Sequence, residues 1–134
     1  MTPSDIIIEK KGNFKDYHNY GIYLLRFKTK VYIGCAYDQT LEERSREHIA
    51  KSITGTTPKD KQLRDEGGCV MEILYLSPNK RAKDRKKLLR HIERYLIYKA
   101  GKSIIDQLIE VDIVDDTLKS FKDEISQYLL NYQY

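Results

Sequence analysis

The segment GIYLLRFKTKVYIG, residues 21–34, carries Tyr23 and Tyr32, each two positions from a glycine. A turn at Lys28-Thr29, through a two-residue or a four-residue loop, pairs Tyr23 with Gly34 and Leu25 with Tyr32. Strand alternation then puts Ile22, Leu24, Val31, Ile33 and Cys35 on one face, with Gly21, Tyr23, Leu25, Tyr32 and Gly34 on the other. The phenols become diagonal neighbours, and Gly34 opposite Tyr23 is expected to leave an open notch beside the hydroxyl. A three-residue loop would reverse this parity. Strand preference accounts for one tyrosine. Two hydroxyls converging beside two glycines need a second explanation.

Two further groups invite chemistry. Arg44 and His48 are four residues apart, so they share a helix face beside Leu41, Ile49 and Ile53. The alternative is a solvated cluster with Glu43 and Glu47. Glu93 borders a stripe of Leu89, Ile92, Leu96 and Ile97. A carboxylate there is costly unless it is paired, for instance with Arg90, or bound to a metal. Phenol, guanidinium, imidazole and carboxylate can between them move protons, neutralise developing negative charge and hold a hard cation.

The elements that must position these groups read as follows. A short strand is expected within Asp5–Glu9, then a polar loop at Gly12-Asn13, then hairpin strands over 20–27 and 30–35. Thr40 with Glu43 forms a capping-box pattern that opens a helix to about Ser52. A short helix over 58–66 ends at Gly67-Gly68, Val70–Leu76 is strand-like, and Lys80–Ala100 is the longest helix, closed by Gly101. Ile109–Val114 reads as a last strand. Leu118, Phe121, Ile125, Tyr128, Leu129 and Tyr132 recur at helical spacing, as core packing first and a dimer seam second. The fold class is therefore α/β of the α+β kind: a small central antiparallel sheet of about three strands flanked by helices, with an extra C-terminal strand and helix.

At 134 residues and 40% hydrophobic content, one domain with a modest core is expected. No apolar run reaches the length of a membrane span, and the basic-then-apolar order of a signal peptide is missing, so a cytoplasmic, intracellular protein is expected. Cys35 and Cys69 lack metal-ligand spacing and are expected to be reduced; His18 and His91 show no such spacing either. Residues 109–134 hold two lysines against six carboxylates, a net −4, which leaves +8 on residues 1–108 within the overall +4. A basic body with an acidic end points to a polyanionic partner. Lys80, Arg81, Lys83, Arg85, Lys86, Lys87, Arg90 and Arg94 wrap more than one face of the long helix. They suit either phosphate-backbone contact or plain solvation.

GIY…YIG resembles the defining signature of the GIY-YIG nuclease domain, shared by homing endonucleases, some restriction enzymes and repair nucleases. The resemblance covers roughly Tyr20–Asp106, with 109–134 as an acidic extension that packs on the core or on a partner. Leu41-Glu42-Glu43-Arg44 followed by His48 looks like the family's arginine helix, and Glu93 in Ile92-Glu93-Arg94-Tyr95-Leu96-Ile97 looks like its metal-binding glutamate. The resemblance implies a metal-dependent DNA endonuclease. Glu93 would hold one divalent cation, Mg2+ or Mn2+, and Arg44 would neutralise charge on the phosphoryl oxygens. Tyr23 would be the general base, Tyr32 would orient water or phosphate, and His48 would relay the proton or bind phosphate. Gly34, Lys83, Arg85, Lys86, Lys87 and Arg90 would contact substrate. Since a free phenol has a pKa of about 10, neighbouring cations are expected to favour the phenolate.

The sequence departs from the family in three places. The link between the tyrosine motifs is about two residues shorter than is common, which preserves strand parity. The approach to Arg44, through Asp38-Gln39-Thr40, is longer by a similar amount. Asp106, with Ser103 and Gln107 nearby, stands where many relatives have asparagine. Residues 52–68 form the most loop-like insertion and are the expected source of substrate choice among duplex, branched and single-stranded DNA. The competing expectation is a catalytically idle nucleic-acid-binding or interaction module, including a homodimer through the C-terminal helix.

Overall fold

The Phe27 N–H donates to the Lys30 carbonyl at 2.9 Å, closing a two-residue loop at Lys28-Thr29. This computed structural model describes residues 1–101 and 108–131. Its first hairpin joins β2 (Gly21–Arg26) to β3 (Lys30–Ala36). Loop length sets register, and Tyr23 faces Gly34 while Leu25 faces Tyr32, as alternation requires. β4 (Gly68–Leu76) lies antiparallel along the other side of β2, with a bulge at Ile22/Tyr23.

Those three strands are the expected antiparallel centre, but the sheet is larger. β1 (Ile7–Lys10) pairs in parallel with β4, and β5 (Ile109–Glu110) pairs antiparallel with β3, giving the order β1-β4-β2-β3-β5. The protein is α+β with a five-strand mixed sheet, so the expectation of about three strands was too coarse. A parallel partner distant in sequence leaves no local pattern to read. The expected strand over 109–114 is also cut short. Val111, Val114 and Leu118 follow helical spacing, and the chain turns into α4 (Val111–Leu118) with Val114 buried.

Helices cover both faces. α1 (Leu41–Ser52) begins at the predicted capping box: Thr40 Oγ1 accepts from the Glu43 N–H at 3.2 Å, and Glu43 Oε1 accepts from the Thr40 N–H at 2.9 Å. α2 (Pro58–Glu66) is capped by Thr57 and stops at Gly67, whose φ of 71° suits the left-handed C-cap. Together they cover Tyr23, Leu25 and Tyr32, packing Leu41 and Leu63 with Met71 and Tyr17. α3 (Ala82–Lys99) covers the opposite face, where Leu88, Leu89, Ile92, Leu96 and Ile97 meet Ile22, Leu24, Val31 and Ile33.

Tyr132 of the C-terminal stripe lies outside the described residues, and the described part is divided between α4 and α5 (Phe121–Asn131). Both complete the α3-side core, burying Val114 and Ile125 with Phe121, Tyr128 and Leu129 packed alongside. The acidic extension makes ion pairs with this same body: Asp115 with Arg26 at 2.9 Å, Glu124 with Lys99 at 3.6 Å, and Glu110 with Lys30. Cys35 and Cys69 are free thiols, half-buried. Among the described residues, no helix is long and apolar enough to cross a membrane.

One edge matters for the site. Among the described residues, β5 pairs with β3 only at Lys30 and Val31. Gly34 and Cys35 lie on β3 beyond that pairing, and Cys35 feels the charges of both Glu93 on α3 and Arg44 on α1.

Candidate active site

Tyr23 reaches across the hairpin onto Gly34. A Cβ at Gly34 would sit 2.5 Å from the Tyr23 hydroxyl oxygen and 2.9 Å from Cε1 of Tyr32. The expected notch is thus filled by the phenol itself, and glycine is what permits the approach. From α1, Arg44 Nε donates to the Tyr23 oxygen at 3.3 Å, while His48 Nε2 lies 2.5 Å from the same oxygen. The Tyr23, Tyr32 and His48 rings form a triangle with centroids 6.4, 5.7 and 5.5 Å apart. All three are buried, and His48 Nδ1 has no hydrogen-bond partner in the structure. Arg44 also pairs with Glu47, but the rest of the solvated alternative is not found: His48 is buried and Glu43 serves the Thr40 cap.

Burial decides the resting protonation states. It raises the pKa of the Tyr23 phenol well above its ordinary value, outweighing the opposing charge and hydrogen bond of Arg44. A phenolate favoured by cations was expected; the resting group is a neutral phenol. Burial, then the charges of Lys59, Arg44 and Lys51, hold His48 well below the usual imidazole range, so it too is neutral near pH 7.

Glu93 arrives from the other face. It is buried on α3, and the Cys35 thiol on β3 is hydrogen-bonded to it. Burial first, then this carboxylate, drives the thiol pKa up. Tyr23 feels the Glu93 charge and Cys35 feels those of Arg90 and Arg44, so the groups converge around the β3 edge. Among the described residues, no three His, Cys, Asp or Glu side chains gather as a metal cluster. Glu93 alone is nevertheless a sufficient kind of donor for a hard cation that keeps waters and takes further oxygens from a phosphate.

The basic helix divides on inspection. Lys83, Lys86 and Lys87 are exposed and Arg90 is half-buried, with Lys86 and Arg90 lying 5.7 and 5.8 Å from the Tyr37 ring centre. Arg85, expected to contact substrate, instead serves the fold. It is buried, donates to the carbonyls of Tyr37 at 2.9 Å and Lys80 at 2.7 Å, and stacks 3.7 Å over Tyr20. Its helical spacing from Leu88, Leu89 and Ile92 placed it on the buried stripe, a signal that was legible.

One residue was missed. Lys59 on α2 is only 8% exposed, and its Nζ lies 5.0 Å from the Tyr32 ring centre. Its place one turn before the buried Leu63 was the available signal. The insertion over 52–68 carries the short helix expected at 58–66, now α2, ending at Gly67 as expected. Arg64 pins the preceding turn by donating to the carbonyls of Ser52 at 2.8 Å and Gly55 at 2.9 Å. Asp106, Ser103 and Gln107 lie outside the described residues. Compared with known protein families, curated proteins and solved structures, the chain matches none of them.

Proposed function

We propose that the chain is a metal-dependent DNA endonuclease of the GIY-YIG kind, hydrolysing phosphodiester bonds at the β3 edge. The observation that carries this reading is the Tyr23 hydroxyl held between Arg44 Nε and His48 Nε2, with Glu93 converging from the opposite face. Arg44 can only donate, which leaves the phenol proton for the neutral His48 Nε2. Transfer of that proton creates a phenolate flanked by the Arg44 guanidinium and an imidazolium, whose attraction offsets part of the cost of burying each charge. The phenolate then takes a proton from the attacking water as the new P–O bond forms. Arg44 neutralises charge on the phosphoryl oxygens. Glu93 would hold one divalent cation, Mg2+ or Mn2+, which when bound would supply Lewis-acid polarisation of the phosphate and charge support for the leaving oxygen. Lys83, Lys86, Lys87 and Arg90 contact the nucleic-acid backbone without reading sequence.

A second reading, a nucleic-acid-binding module without catalysis, is favoured by one observation: Tyr23, Tyr32 and His48 are nearly inaccessible to water. The two readings separate in a cleavage assay with labelled single-stranded, duplex and branched DNA, in Mg2+ or Mn2+, beside Glu93→Ala. Cutting that needs both metal and Glu93 is the expected result. Salt-sensitive binding by both proteins without cutting would establish the second reading instead.

A further inference from the structure

We propose that Lys59 is a further substrate-binding residue of this site, an ammonium that holds the scissile phosphate from the α2 side while Arg44 holds it from α1. This rests on the phosphodiesterase reading above and names a residue which that reading does not require.

The argument begins with local structure. Thr57 caps α2 by accepting from the Asp60 N–H at 3.2 Å, and Pro58 occupies the first helical position. The first turn then directs Lys59, Asp60 and Leu63 inward. Lysine is among the residues least often buried, and removing an ammonium from water is costly. A solvated lysine could have stood on the other side of this helix at no such cost.

Its surroundings set it at the ring cluster. The Nζ lies 5.0 Å from the Tyr32 ring centre and is ion-paired with the buried Asp60 carboxylate, 3.8 Å from Oδ1. Asp60 is itself fixed against Gly55, where a Cβ would fall 2.5 Å from its carboxyl carbon. Arg44 stands at Tyr23 and Lys59 at Tyr32, so two buried or half-buried cations bracket one neutral ring cluster. Between them His48 keeps a buried Nδ1 without a partner. Each cation already has a carboxylate beside it, Glu47 at Arg44 and Asp60 at Lys59, and a phosphodiester entering the ring cluster would meet both cations. Its two non-bridging oxygens offer one acceptor to the guanidinium and one to the ammonium.

The test compares Lys59→Met, which keeps the stem and loses the charge, with Lys59→Arg, which restores a cation. Cleavage kinetics, the salt dependence of DNA binding without metal, and melting temperature are measured on the full chain. The expected result is a loss of about 100-fold in kcat/KM for Lys59→Met, the scale of removing one charge-stabilising donor. Its binding to duplex DNA should lose about 0.9 from the slope of log affinity against log salt, the signature of one phosphate contact. Lys59→Arg should recover most of both. A Lys59→Met protein that cuts like wild type while Arg44→Ala is dead overturns the proposal and leaves the nuclease reading intact. A lowered melting temperature with an unchanged salt slope makes Lys59 structural and also overturns it. Wild-type protein that neither cuts nor binds DNA removes both readings. Should Lys59→Met fail to fold, the nitrogen NMR signal of the wild-type Lys59 ammonium decides. It is expected to shift when DNA is added without metal, and an unmoved signal overturns the proposal.

Discussion

Tyr17 and Tyr23 are both fully buried on the α1/α2 side of the sheet, and burial raises the pKa of both phenols. Their partners differ in kind. Tyr17 donates to the carbonyls of Lys11 at 2.7 Å and Met71 at 2.9 Å, tying the chain beyond β1 to β4. Neither carbonyl can take its proton, and its pKa is pushed up to about 12. Tyr23 lies instead against a guanidinium and a neutral imidazole. One hydroxyl is a strut and the other can be a proton carrier. Burial and pKa alone would not tell them apart; the titration chemistry of the neighbours does.

The contrast can be broken first at Gly34. Gly34→Ala drives a methyl into the Tyr23 hydroxyl, so cleavage should disappear, and stability should fall by about 1–3 kcal/mol, the usual range for overpacking. Chemical denaturation and the cleavage assay read the two effects together. His48 sharpens the contrast through pH. Its folded pKa is depressed below the ordinary 6.5, so below that value the unfolded chain binds a proton that the folded state refuses. Stability should therefore fall as pH drops from 6.5 toward the depressed folded value, by at most about 1.4 kcal/mol per pH unit for this group. In His48→Gln that contribution to the slope should vanish; denaturation at two pH values checks it. The smallest effects lie on α3. Lys86→Gln or Lys87→Gln should each reduce the salt slope of duplex binding by about 0.9. Arg85→Met should leave the slope unchanged and lower the melting temperature, because Arg85 is committed to two carbonyls and Tyr20.

What could be read from sequence was what short-range rules determine. The Tyr23–Gly34 register follows from a two-residue loop and strand alternation, and the start of α1 follows from Thr40 and Glu43. β1 escaped full description because its parallel pairing to β4 joins distant segments. The strand expected to Val114 yielded to helical spacing of the same apolar residues. Within the candidate site, charge density hid the individual cations. Arg85 and Lys59 each occupy a buried helix face among many exposed cations, and only their spacing from Leu88 and Leu63 distinguished them. The neutral state of Tyr23 could not be foreseen, since it depends on how completely α1 covers the phenol.

The most direct test sets Tyr23→Phe beside Tyr17→Phe, with metal-dependent DNA cleavage expressed per folded molecule. The account predicts that Tyr23→Phe loses activity by about 100-fold or more, as removal of a general base does, and also loses about 1–3 kcal/mol of stability, because buried His48 Nε2 loses its partner and Arg44 loses an acceptor. Tyr17→Phe should keep its activity and lose about 1 kcal/mol of stability, because the hydroxyl's bonds to both carbonyls go while the Met71 carbonyl keeps the Lys11 N–H at 2.8 Å. Tyr23→Phe cutting DNA at the wild-type rate would contradict the account.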